Sequence, residues 1–149
     1  MRTFIPLLLL LSALSCKKEE ASDPAPREMS ARISRAGAEL LAIDARGDKA
    51  GFALGYGYYA ATCRNDAGAE VILNFGYPYG PGTYPAQIRY SMNLSDPAAP
   101  VYIDYGGPNG GTVSISSISD DGVLAGTYSV PCVSRSDTVL VTGAFNGKF

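Results

Sequence analysis

Apolar residues alternate with small or polar residues along the last part of the chain. In the stretch 123–130, the positions of one parity are Leu124, Gly126, Tyr128 and Val130. From residue 138 onward, the odd positions include Val139, Val141, Gly143, Phe145 and Phe149. A period of two residues is typical of a β-strand that buries one face. Both stretches are therefore predicted to be strands.

A hairpin is predicted at residues 111–130. Its turn is Ser119-Asp120-Asp121-Gly122, because Asp bonds its local backbone and Gly accepts a positive φ. Before the turn, Val113 and Ile115 alternate with Thr112 and Ser114, but Ile118 is out of step. We expect a β-bulge near Ser116 and Ser117 to account for this slip.

Further short β-like runs precede this hairpin. Candidate strands cover residues 29–33, 38–43, 51–63, 70–75, 87–94 and 101–105. The run 51–63 is expected to place Phe52, Leu54, Tyr56 and Tyr58 on one face. About eight or nine short strands with regularly spaced turns, and no long helical pattern, indicate an all-β antiparallel protein. We expect a β-sandwich, with a small β-barrel as the alternative.

The first residues have the pattern of an export signal. Arg2 precedes an apolar run that is too short to span a bilayer, and Ala13-Leu14-Ser15-Cys16 resembles a lipoprotein cleavage site. We therefore expect a signal peptide at 1–15, acylation of Cys16, a disordered tether over 16–28 and a single β domain at 29–149. Ordinary signal-peptidase cleavage is the alternative. Several acyl chains on Cys16 would anchor the protein stably to a membrane.

Short motifs in the body of the chain resemble those of a lipoprotein family. Gly126-Thr-Tyr128, followed by a strand that ends in Gly143-Ala-Phe145, is similar to a family of small Bacteroidota lipoproteins of unknown function. Cys16-Lys17-Lys18-Glu19-Glu20 resembles the start of many lipoproteins in that group, where an acidic cluster after the acylated Cys is a surface-export signal. The resemblance implies an outer-membrane lipoprotein that faces the cell exterior, with the periplasmic face as the alternative. It supplies no catalytic residues.

Composition and charge narrow the chemistry. There is no His, which removes Ser-His-Asp, Cys-His and His-metal sites together. Without residues 1–15 the chain has 11 basic and 14 acidic residues, a net charge of 11 − 14 = −3. That charge and the lack of a basic run argue against nucleic acid as a partner. No cofactor or metal site is expected; a Ca²⁺ site at Asp120 and Asp121 lacks the usual Asp-x-Asp pattern.

Tyrosine is the unusual component, with ten residues and no Trp. Tyr77, Tyr79 and Tyr84 fall in the Gly- and Pro-rich stretch 76–84, which is predicted to be a loop. Rigid aromatic side chains with a polar tip suit recognition, so these three residues are the candidate ligand site. The alternative is that they fold back over the end of the core.

Cys63 and Cys132 are the remaining cysteines once Cys16 is assigned to acylation. Export would place both in an oxidising compartment, so we predict a disulfide between them. The alternative is two separate buried thiols.

Two functions are compatible with these features. The first is a lipid-anchored outer-membrane or cell-surface β domain that is not an enzyme and acts as a binding or structural module, with a glycan or a surface protein as ligand. The second is a small hydrolase or glycan-processing enzyme that uses carboxylates. The candidates for that chemistry are Asp44, Asp48, Asp66, Asp96, Asp104, Asp120 and Asp121.

Overall fold

Nine antiparallel strands form one sheet in the computed structural model, which describes residues 25–91, 110–134 and 137–149. The strands are β1 (Arg27–Arg35), β2 (Ala38–Arg46), β3 (Ala50–Leu54), β4 (Tyr59–Arg64), β5 (Glu70–Phe75), β6 (Gly82–Ser91), β7 (Gly111–Ile118), β8 (Val123–Ser134) and β9 (Asp137–Lys148). The described residues contain no α-helix; a 3-10 turn, Gly47–Lys49, joins β2 to β3.

The sheet curls into a nearly closed barrel. Its strand order is β2-β1-β9-β8-β7-β6-β5-β4-β3, so β2 and β3 are the two edges that approach each other. The prediction of an all-β antiparallel fold is confirmed, and the architecture is the barrel named as the alternative. One curled sheet encloses the core where a sandwich would need two packed sheets.

The predicted parity of the two C-terminal strands is confirmed. Leu124, Tyr128 and Val130 of β8 point into the barrel, as do Val139 and Phe145 of β9. These strands pair over their full length of twelve residues and form the longest ladder in the described chain. The core therefore consists of the inward-facing positions of every strand, most of them aliphatic.

The predicted hairpin between β7 and β8 is also confirmed. Gly122 has φ 86°, and its N–H donates to the Ser119 carbonyl over 3.0 Å. The register shifts between Ile115 and Ser117, where the bulge was expected. The extra residue brings Ile118 opposite the buried Leu124, on the same face of the sheet as Val113 and Ile115, which explains the slip in alternation; Ile118 is 38% exposed because it ends the strand.

Glycines in β8 and β9 lie opposite aromatic residues of the neighbouring strand. In the β8–β9 register, Gly126 pairs with Phe145 and Tyr128 pairs with Gly143. A Cβ at Gly126 would lie 3.1 Å from the Phe145 ring, and one at Gly143 would lie 2.7 Å from the Tyr128 hydroxyl. The two sequence motifs are thus one structural unit, in which each glycine makes room for the aromatic ring of the other motif.

The hydroxyl of Tyr128 reaches past Gly143 to the first strand. It donates to the Ser30 carbonyl over 2.8 Å, while the Ala144 N–H donates to the Ser30 Oγ over 3.2 Å. A Cβ at Gly143 would collide with the Ser30 carbonyl. Tyr128 therefore ties β8 to β1 across β9, and only glycine at 143 leaves space for that bond.

The expectation of one strand over 51–63 is wrong. Residues 55–58 form a turn between β3 and β4. Gly57 has φ 83°, and the Gly55 N–H donates a hydrogen bond of 2.9 Å to the Tyr58 carbonyl. Glycines that looked like spacers in a strand are the residues that reverse the chain. The predicted strand at 101–105 lies outside the described residues. The first strand, β1, begins at Arg27, two residues before the expected start of the β domain at residue 29.

Candidate functional site

Two neighbouring loops at one end of the barrel carry an exposed group of aromatic residues. The first loop, residues 55–58, joins β3 to β4, and the second, residues 76–81, joins β5 to β6. Because β4 and β5 are adjacent and antiparallel, the start of β4 lies beside the end of β5, and both loops lie at the same end of the barrel. The Tyr77 hydroxyl donates to the Gly55 carbonyl over 2.9 Å and joins the two loops.

The first loop is tight, and it points a tyrosine into solvent. The Tyr58 ring lies over Gly55, where a Cβ would come within 2.6 Å of it. Tyr56 sits between Gly55 and Gly57 at the tip of the loop and is fully exposed, at 105% of the reference area. Any larger residue at 55 would displace the Tyr58 ring from the loop.

The second loop is stiffened by proline and by a hydrogen bond. Tyr79 lies between Pro78 and Pro81, whose rings restrict φ, and it is 98% exposed. The Tyr84 hydroxyl donates to the Gly80 carbonyl over 2.6 Å, which fixes the loop to β6. The exposed residues of the two loops, together with Leu54 at the end of β3, are called the tyrosine rim; its members are Leu54, Tyr56, Tyr58, Tyr77 and Tyr79.

A cluster of aromatic rings inside the barrel supports the rim. Phe149 contacts Phe52 and Tyr59 edge to face, with ring centroids 5.0 and 4.9 Å apart. Phe75 stacks on Tyr59 at 5.7 Å, and Tyr59 meets Tyr77 of the rim at 5.1 Å. The rim therefore rests on packed aromatic residues, which reduces the conformational entropy that its loops would lose on binding.

The rim is uncharged. Neither the stretch 51–63 nor the stretch 71–88 contains an acidic or basic residue. Its polar groups are the tyrosine hydroxyls and the loop carbonyls. Such a surface suits a neutral ligand that offers an apolar face and hydroxyl groups, and it gives a polyanion no cation to contact.

The structure separates the three tyrosines that the sequence grouped together. Tyr77 and Tyr79 belong to the rim, whereas Tyr84 lies in β6, half-buried, and packs against the core. The sequence missed Leu54, Tyr56 and Tyr58, which were assigned to a strand face. The available signal was Gly55-Tyr56-Gly57, since glycines on both sides of an aromatic residue are also typical of a turn.

The predicted disulfide is not seen. Cys63 of β4 and Cys132 of β8 are both buried and are not joined by a disulfide. Three strands separate β4 from β8 in the sheet, so the two side chains enter the core from different parts of the wall. Burial raises the pKa of the Cys63 thiol to about 12, with a smaller contribution from the charge of Glu70. Cys16 lies outside the described residues.

The candidate carboxylates lie mostly in exposed ion pairs or turns. Asp44 accepts two hydrogen bonds from Arg32, of 2.9 and 3.0 Å, and Asp66 lies 2.8 Å from the Lys49 ammonium. A hydrogen bond from the Ser119 hydroxyl is the main cause that lowers the pKa of Asp121. Backbone hydrogen bonds from Asp121 and Val123 lower it further, which is the turn role expected of an Asp there. Asp96 and Asp104 lie outside the described residues.

One shallow groove brings two carboxylates together on the outer wall. It has a volume of about 300 Å³ and lies across β1, β2 and β9, with Glu28 and Asp44 in its lining. Both are ion-paired, Glu28 with Arg46 at 3.6 Å and Asp44 with Arg32. Both carboxylates are thus held in surface ion pairs along an open groove, whereas glycoside hydrolysis needs two carboxyl groups that flank the scissile bond. Within the described ranges, no three His, Cys, Asp or Glu side chains are grouped to hold a metal ion.

The comparisons with known proteins found no match for the chain. No family model matches it, and neither do curated proteins or solved structures. The lipoprotein resemblance therefore stays a prediction from short motifs. In the part of the chain that the structure describes, no helix has the length and apolar character to cross a membrane.

Proposed function

We propose that this protein is a lipid-anchored, surface-exposed binding module whose tyrosine rim binds neutral carbohydrate. One observation supports the site above all: two linked loops expose Tyr56 and Tyr79 almost completely, on a rigid and uncharged base. Large exposed aromatic groups are uncommon on a monomeric surface unless they contact something.

The chemistry of tyrosine fits a sugar ligand. A pyranose ring has an apolar face of C–H groups that packs against an aromatic ring, and its rim of hydroxyls bonds phenolic oxygens and backbone carbonyls. Tyr56 and Tyr79 are free to supply ring faces, since neither has a ring contact among the described residues. Pro78 and Pro81 limit the ordering entropy of the second loop.

The anchor is part of the same proposal. Acylation of Cys16 would hold the domain at the outer membrane, and Glu19 and Glu20 support display on the cell exterior. Intact-mass measurement of the mature chain, with Cys16→Ser as the comparison, tests this part. A membrane-bound mature protein with an unmodified Cys16 would contradict it.

A carboxylate hydrolase has less support. Among the described carboxylates, the two that share a groove are each ion-paired with an arginine, and the rim has no acidic residue. The binding role is therefore the function that the geometry favours.

An array of neutral glycans tests the site. Wild-type protein should bind a subset of the array, and Tyr56→Ala and Tyr79→Ala should each weaken binding about tenfold or more, the loss of about 1.4 kcal/mol or more expected for a central aromatic contact. Leu140→Ala is the matched control, because Leu140 is exposed on the outer wall away from both loops. Equal binding by all four proteins would exclude the rim as the site.

A further inference from the structure

We propose that the carbohydrate bound by the tyrosine rim belongs to the lipid head groups of the membrane that holds the anchor. This inference rests on the proposed function above. It concerns the direction in which the rim faces, and it follows from the place where the chain enters the barrel.

The chain enters the barrel beside the rim. Arg27, the first residue of β1, pairs with Gly147 of β9. A Cβ at Gly147 would collide with the Phe52 ring, so the two are in direct contact. Phe52 lies in β3, which leads into the first rim loop, and its ring meets Phe149 at 5.0 Å. The N-terminal tether therefore starts at the end of the barrel that carries the tyrosines.

The length of the tether limits where the membrane lies. Cys16 and Arg27 are eleven residues apart, and a tether as disordered as the sequence predicts would have a root-mean-square span of roughly 18 Å. β8 and β9 each have twelve residues, so a strand spans about 40 Å, or about 30 Å along the axis of a tilted barrel. With an acylated Cys16, the rim end lies within the usual reach of the tether and the far end lies beyond it.

The chemistry of the rim agrees with a position at a membrane surface. Tyrosine is enriched where apolar and aqueous layers meet, because its ring is apolar and its hydroxyl is polar. A sugar head group lies in the same layer, within reach of Tyr56 and Tyr79.

Fluorescence quenching in vesicles tests this orientation. The chain has no Trp, so Tyr79→Trp places a single fluorophore on the rim and keeps an aromatic side chain there. Ala38→Trp places a fluorophore at the start of β2, at the end of the barrel opposite the rim. Ala38 is exposed and pairs with Arg35, the last residue of β1. The full acylated protein is reconstituted in phosphatidylcholine vesicles that contain a head-group nitroxide lipid, with and without digalactosyldiacylglycerol.

We expect the nitroxide to quench the rim fluorophore at least twice as strongly as the one at residue 38. Digalactosyldiacylglycerol, whose head group is an uncharged disaccharide, should increase the quenching at residue 79 alone. Equal quenching at the two positions would overturn the orientation. If quenching at residue 79 is the same with and without digalactosyldiacylglycerol, carbohydrate as the occupant of the rim would be overturned. The glycan array is independent of orientation, so failure of the binding function is distinguishable from failure of this inference.

Discussion

The barrel wall and the rim use tyrosine next to glycine in opposite ways. In the wall, Tyr128 is 4% exposed and lies over Gly143, with its hydroxyl bonded to the Ser30 carbonyl. On the rim, Tyr56 has glycine on both sides and is fully exposed. The wall glycine provides space across the sheet, whereas the rim glycines provide a reversal of the chain.

The comparison separates residues that support the fold from residues available for binding. Burial on the wall makes Tyr128 part of the core, and desolvation raises its pKa well above the ordinary value, with a further increase from Cys63. On the rim, Tyr79 has solvent around it. A substitution in the wall should therefore change stability, and a substitution on the rim should change binding.

Gly143→Ala should have the largest effect. Its new Cβ would collide with the Ser30 carbonyl and crowd the Tyr128 hydroxyl, so the β1–β9 ladder has to shift. We expect a loss of about 3 kcal/mol, which lowers the melting temperature by roughly 10 °C. Gly76→Ala is the control, because the space around Gly76 is open, and it should stay within about 0.5 kcal/mol of wild type. Equal melting temperatures would refute the close packing at Gly143.

Alkaline pH should destabilise the wall next. The pKa of Cys63 is raised from 9.0 to about 12 in the folded state, so its protonated thiol stabilises the fold fully below pH 9. As pH rises, the unfolded chain loses this proton first, and stability falls by up to about 1.4 kcal/mol per pH unit for that group. Urea unfolding between pH 8 and pH 11 should show a loss of roughly 2 kcal/mol that Cys63→Ala reduces.

A separate alkylation experiment decides the state of the two cysteines. In denatured, unreduced protein, alkylation should modify both Cys63 and Cys132, as the structure indicates. A chain that resists alkylation until it is reduced would establish the disulfide that the sequence predicted, and the alkaline effect would then lose its cause.

Tyr128→Phe should have a smaller effect. It keeps the ring over Gly143 and removes only the hydroxyl that bonds the Ser30 carbonyl. A lost hydrogen bond to a partly buried carbonyl corresponds to about 1–2 kcal/mol, which denaturant unfolding would resolve. A variant as stable as wild type would show that the ring alone, without its hydroxyl, fixes β8 against β1.

Tyr79→Ala should have the smallest effect on stability. The side chain is exposed on a loop that Tyr77 and Tyr84 already hold, so the change in unfolding free energy should stay within about 0.5 kcal/mol. A fall of several degrees in its melting temperature would mean that the rim is architecture, and the contrast between wall and rim would fail.

Local patterns determined much of the wall. The parity of β8 and β9, the turn at Ser119 to Gly122 and the slip after Ile115 are properties of a few neighbouring residues. A period of two and the turn chemistry of Asp and Gly act over that short range, so the sequence is sufficient to predict them.

Tertiary structure decided closure and the membership of the site. Whether nine strands form two sheets or one barrel depends on pairings between distant segments, such as β1 with β9, which no local pattern encodes. The sequence Gly55-Tyr56-Gly57 is compatible with a strand and with a turn. The pairing of β3 with β4, which places Leu54 opposite Tyr59, makes it a turn. The rim exists because two such reversals meet at one end of the barrel, and the alternation in the sequence carries no information about that meeting.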